Sequence, residues 1–161
     1  MCANTQTQVF SRDTVIRRTI VSRTNEISFR AIEGGQTPAR ILVVNDVEET
    51  RDALEKLLTS DGYRVDAARG EEDAVLRAKR DLPALILVSL GGPEVGWIAS
   101  AARIRNGAEL GASLPIVLFG AEGIPEGAEV QIDTNIYLTS PDNFDQLRRF
   151  LRRLLDRAAS V

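Results

Sequence analysis

The sequence predicts an α/β protein: a doubly wound parallel sheet with helices on both faces. Two observations carry that expectation. Ile41-Leu42-Val43-Val44 and Leu85-Ile86-Leu87-Val88 are short, unbroken apolar runs, the mark of strands buried on both faces. Between and after them, segments of helical period alternate with further short runs from Arg40 to Leu155, giving five strand-helix units in succession.

The elements follow in order. After the first strand, Asp46 can cap a helix, Glu48 and Glu49 suit its first turn, and Thr50, Leu54, Leu57 and Leu58 form its apolar stripe. Gly62 ends it. Tyr63 to Ala68 is the second strand, and Glu71 to Arg80 the second helix, acidic at its start and basic at its end as the macrodipole favours. Leu85 to Val88 is the third strand, Trp97 to Arg105 the third helix, and Ile116 to Phe119 the fourth strand. The fourth helix is weak: Gly123, Pro125 and Gly127 fall in its first half, so a loop with one late turn is expected there. Ile136-Tyr137-Leu138 is the fifth strand, and the last helix runs from Pro141 to about Ala159 with Phe144, Leu147, Leu151 and Leu154 inward.

Composition narrows the function classes. The chain has 161 residues, 43% hydrophobic and 27% charged, enough for one cored domain and a modest appendage. A formal charge of -3 gives no global reason to expect nucleic acid. Cys2 is the single cysteine, which suits a reducing cytosol. There is no histidine, so Ser-His and Cys-His nucleophile systems and the usual zinc sites are excluded. With no apolar run long enough for a span and no secretory leader, the expectation is a cytoplasmic protein. Residues 1–38 are polar and end in Glu33-Gly34-Gly35-Gln36-Thr37-Pro38, which reads as a flexible tail and linker before a domain over 39–161.

The stretch from Arg40 to Leu155 resembles the receiver domain of bacterial response regulators, which implies a flavodoxin-like, five-stranded parallel sheet. Ile41 to Asp46 looks like its first strand and acidic pair, Leu87-Val88-Ser89-Leu90 with Pro93 like its phosphorylation strand, and Tyr137 to Pro141 like its lysine-proline turn. The resemblance implies an acidic pair where Asn45 and Asp46 stand, the phospho-accepting aspartate at Ser89, a threonine or serine at Gly120, and a lysine at Ser140. Of these positions only Asp46 matches.

Charge explains why such replacements silence phosphotransfer. Mg²⁺ dehydrates reluctantly and wants several anionic oxygens. At ~4 Å and an effective dielectric of ~20, a unit charge pair is worth ~4 kcal/mol, so losing two carboxylates outweighs what a neighbouring hydroxyl restores. Ser89 lacks a base, Gly120 a hydroxyl and Ser140 a cation. No catalytic, metal or cofactor residue is therefore assigned, and Asn45, Asp46, Ser89, Gly120 and Ser140 read as a vestigial pocket. Blander roles are available: Asp46 as a helix cap with Glu49, and Ser140-Pro141 as N-cap and first helical residue. The Ser89-Leu90-Gly91-Gly92 loop reads as a turn, with an anion cradle as the competing reading.

Arg148, Arg149, Arg152 and Arg153 give the last helix a basic outer face. Such runs are usually solvated, but the resemblance implies that partners dock on this side. The expected function is a stand-alone receiver-like protein in bacterial signal transduction, not an enzyme. It acts as a phosphorylation-independent interaction module for a kinase, another regulator or a second copy of itself, without nucleic acid or membrane. The alternatives are a conventional phosphorelay receiver with an unrecognised acceptor and a small flavodoxin-like nucleotide-binding protein or enzyme.

Overall fold

A computed structural model of the chain describes residues 37–91, 94–120 and 123–160. The expected flexible tail therefore lies outside the described residues. The compact unit Pro38–Val161 alternates strands and helices: β1 (Arg40–Asn45), α1 (Glu48–Ser60), β2 (Arg64–Ala68), α2 (Glu71–Arg80), β3 (Leu85–Ser89), α3 (Glu94–Gly107), β4 (Ile116–Phe119), β5 (Glu129–Asp133), β6 (Ile136–Thr139) and α4 (Phe144–Ala159).

The strand order is β2-β1-β3-β4-β6-β5, with every neighbouring pair parallel except β5 and β6. β1 and β3 sit centrally, and their period-two alternation feeds two cores. Leu42, Val44, Ile86 and Val88 face α2 and α3, where Trp97, Ala101 and Ile104 meet them. Ile41, Val43, Leu85 and Leu87 face α1 and α4, against Leu54, Leu58, Leu147 and Leu151. Each such buried aliphatic side chain contributes about 2 kcal/mol.

The helices obey their sequence signals unevenly. α2 has the expected bounds, Glu71–Arg80. α1 ends in a Schellman turn: Tyr63 N–H donates to the Leu58 oxygen at 3.1 Å and Gly62 N–H to that of Thr59 at 3.0 Å. Gly62 takes φ +93°, a region that glycine enters without the Cβ penalty. Neither proposed cap forms. Val47 is the N-cap residue of α1 and makes no side-chain cap bond. α4 begins at Phe144, later than Pro141, because Asn143 caps it by accepting from Gln146 N–H at 3.0 Å. Phe144 consequently lies 54% exposed instead of inward.

The largest correction concerns strand number. The described sheet has six strands, not five, and its edge is antiparallel. No fourth helix forms between β4 and β6 among the described residues, as Gly123, Pro125 and Gly127 foretold. The expected late turn is absent too: Glu-Val-Gln-Ile-Asp runs extended as β5 and returns through Thr134-Asn135, with a register shift between Gln131 and Asp133. Asn135 supplies the positive φ of 53°, which a short polar side chain tolerates. Arg105 of α3 fastens this turn, donating to the oxygens of Leu114 at 2.7 Å and Thr134 at 2.8 Å.

Candidate functional site: a cleft at the carboxyl ends of the strands

Doubly wound sheets bind ligands at the carboxyl ends of their strands. There β1 and β3 lie in register with Asn45 opposite Ser89. Asn45, Asp46, Ser89, Gly91, Trp97 and Gly120 line a cleft of about 580 Å³. The fold thus brings together four of the five residues of the expected pocket. Ser140 does not line it: its main chain instead ties β6 to the start of β5, accepting from Gly127 N–H at 2.6 Å and donating to Ala128 at 3.3 Å.

Each remaining group is already engaged or chemically unsuited. Asn45 is 3% exposed, and its Oδ1 accepts from Val47 N–H at 2.7 Å. Asp46 is exposed, and its Oδ2 accepts from Gly91 N–H at 3.4 Å. That bond sets a carboxylate against the Gly91 amide, which the anion-cradle reading needs free. Gly120 has φ +85°, where a β-branched residue such as threonine is strained. An ideal Cβ there would stand 3.5 Å from Ser89 Oγ. The missing hydroxyl at Gly120 is thus built into the backbone path.

Sequence reasoning missed one residue. Arg51 of α1 is 8% exposed, and its Nη1 donates to the Asn45 main-chain oxygen at 2.9 Å. It takes the inward place on α1 with Leu54 and Leu58, while Thr50 is exposed. The signal was its spacing: Arg51, Leu54 and Leu58 follow the helical i, i+3, i+7 pattern.

A divalent cation needs several oxygen ligands and concentrated negative charge. The described residues of the cleft offer one carboxylate, an amide whose oxygen is taken, and a hydroxyl, and the buried Arg51 guanidinium donates to the Asn45 main-chain oxygen. Among the described residues no three of His, Cys, Asp and Glu come together. The donor set does not fit a Mg²⁺ ion. The two lysines of the chain, Lys56 and Lys79, lie on α1 and α2 and line no part of this cleft.

The four arginines of the expected docking face on α4 divide into two pairs. Arg148 binds Asp61 through Nε at 2.6 Å and Asp145 through Nη1 at 2.9 Å. Its hydrogen bond holds the Asp61 carboxyl below the usual carboxylate range. Arg153 pairs with Glu129 of β5 and lies 5.4 Å over the Phe150 ring. Arg149 and Arg152 are exposed and have no ion-pair partner among the described residues. Half of the expected docking face is therefore spent on holding α4 to α1 and β5.

Comparison with known proteins fits this geometry. The chain is similar to the receiver domain of the sensor histidine kinase PA1611 of Pseudomonas aeruginosa. The two are 26% identical with a TM-score of 0.58, covering 74% of this chain and 99% of that one. It is 30% identical over 124 residues to the virulence transcriptional regulatory protein PhoP of Salmonella typhimurium, covering 76% of this chain and 54% of that protein. The chain carries a response-regulator receiver domain. This receiver domain is also 30% identical over 115 residues to an uncharacterised 14.6 kDa protein of Leptolyngbya boryana, covering 87% of it. It spans about half the length of the curated regulators it matches. No protein-family model matches the chain. The PA1611 receiver was solved with a magnesium ion coordinated in its active-site cleft; in the cleft described above Asp46 is the one carboxylate among the described lining residues. Among the described residues no helix is long and apolar enough to cross a membrane.

Proposed function

We propose that this receiver domain is a pseudo-receiver, a phosphorylation-independent interaction module of two-component signalling. The observation that carries the reading is the cleft: a serine at the end of β3, a glycine of φ +85° at the end of β4 and a guanidinium behind Asn45. No acceptor carboxylate stands at the end of β3. The function then resides in the surface that the fold presents, with a kinase or another regulator as partner, in the cytoplasm. The exposed Arg149 and Arg152 of α4 support a contact with an acidic protein surface, since rim charges set complementarity and association rate.

Incubation with a small-molecule phosphodonor and Mg²⁺, followed by intact-mass measurement, tests the reading. An unchanged mass is expected. A stoichiometric phosphoryl adduct on any residue of the cleft would overturn it in favour of a conventional receiver.

A further inference from the structure

The edge strand β5 stands where the sequence leads one to look for a fourth helix, and it changes what the surface beside α4 can do. β5 pairs with β6 on one side, and its other side faces no strand among the described residues. The outward groups can be assigned. Ser140 N–H donates to the Ala128 oxygen, so that oxygen and, two residues on, the main-chain groups of Val130 turn toward β6. Glu129 and Gln131 turn theirs away. The edge is thus a short template of free N–H and C=O groups.

Its two faces differ in chemistry. On the α4 side, Gln146 donates to the Gly127 oxygen at 2.7 Å and Arg153 pairs with Glu129. Arg149 lies between them on the same helical stripe, three residues after one and four before the other. Along Glu129 and Gln131 this side carries Arg149 and Arg153 against Glu129, while the Asp142 carboxylate stands beside Gly127, before the strand begins. On the other side Val130 is 40% exposed, next to the half-buried Ile132. A strand laid along this edge therefore meets arginine on one face and an aliphatic surface on the other.

We propose that β5 accepts an extended segment of a partner protein as a seventh strand, with acidic side chains toward Arg149 and Arg153 and an apolar one over Val130. Main-chain bonds to Glu129 and Gln131 supply affinity, and the alternating side chains supply selection. A second copy of this chain is disfavoured as the occupant. Edge-to-edge pairing of two β5 strands would bring the arginine stripes of two α4 helices side by side, and like charges there repel. The proposal rests on the interaction-module reading and narrows it to one surface and one partner chemistry.

The test uses the full chain and three labelled eight-residue peptides: alternating Val-Glu, alternating Val-Lys, and the Val-Glu sequence with a central proline. Fluorescence anisotropy should show the Val-Glu peptide binding at least ten-fold more tightly than the other two. Arg149→Glu should weaken it at least ten-fold. Gln131→Pro, which removes an outward N–H and spares those facing β6, should do the same. Amide exchange at Glu129 and Gln131 should slow on binding in the unmodified chain, a readout independent of whether the proline variant folds. Equal binding of Val-Glu and Val-Lys peptides, or unchanged exchange at both amides, would overturn the proposal. A chain that takes no phosphoryl group yet binds no strand at β5 refutes the edge alone; a phosphoryl adduct refutes the module reading beneath it.

Discussion

The guanidinium of Arg51 donates to the main-chain oxygen of Asn45 at 2.9 Å, so a buried cation backs the one position where an acidic pair would gather a metal. With Asp46 as the one carboxylate among the described residues of the cleft, little negative charge faces a divalent ion there. On the proposed reading, metal affinity and phosphotransfer fail together, because both need the same negative charge.

That relationship predicts a silent titration. Trp97 is the single tryptophan and lines the cleft, so its emission reports on occupancy. Mg²⁺ should leave it unchanged in the natural chain. Asn45→Asp combined with Ser89→Asp adds two carboxylates, each worth ~4 kcal/mol against a unit charge at ~4 Å and an effective dielectric of ~20. The double variant should show a saturable change. A saturable response in the natural chain would show that one carboxylate suffices.

Acid stability should report the link between α2 and α3. Arg103 binds Glu71 through Nε and Nη2, both at 2.6 Å. This pairing, followed by the Ser100 hydroxyl, pulls the Glu71 carboxyl from 4.5 down to about 2. A depressed folded-state pKa contributes stability that is fully present above the unfolded value and lost as pH falls through the folded one. The window is therefore from 4.5 to about 2. The side chains are 28% and 58% exposed, so solvent screens the effect and it should be modest. Urea midpoints measured across this window should fall less steeply for Glu71→Gln than for the natural chain; parallel curves would show that the pair contributes nothing.

Arg105→Met should loosen the β5–β6 hairpin. It strips the exposed Thr134 oxygen and the partly buried Leu114 oxygen of their side-chain donor; water replaces the first, and the second costs about 1 kcal/mol. Hydrogen exchange checks this locally. In the natural chain Val130, facing β6, should be protected, whereas Glu129 and Gln131 should exchange fast; in the variant the Val130 protection should fall. Unaltered exchange at Val130 would mean that strand pairing holds the hairpin without Arg105.

Gly62→Ala isolates a backbone effect. An added Cβ meets nothing within 4 Å, so the φ of +93° alone sets the loss, about 1–2 kcal/mol in chemical denaturation. Gly62→Asn should lose less, since asparagine enters the left-handed region more readily. Equal stability of all three would show that the turn relaxes without cost.

The last helix shows how far residue type alone carries. Its leucines and its arginines are separated in the sequence by helical period, and Leu147, Leu151 and Leu154 are buried as that period requires. The same pattern does not tell Arg148, bound to Asp61, from Arg149, which is exposed. Asp61 is 87 residues away in the chain, and long-range charge pairing leaves no periodic trace.

What the sequence determined by itself is the parallel core of the receiver and the residue types that stand at its strand ends. Buried strands read as unbroken apolar runs, α2 is bounded by its own charges, and Ser89, Gly120 and Ser140 are visible as residue types without any fold. Tertiary structure decided the rest. Glu129–Asp133 carries an alternating pattern that any exposed extended segment shares, and it becomes a strand because β6 and the Arg105 clamp hold it there. Arg51 becomes buried because the Asn45 oxygen accepts its hydrogen bond. Local patterning fixes which residues avoid water, but which polar group satisfies which is settled only when distant segments meet, since a buried donor must find its acceptor wherever the fold supplies one.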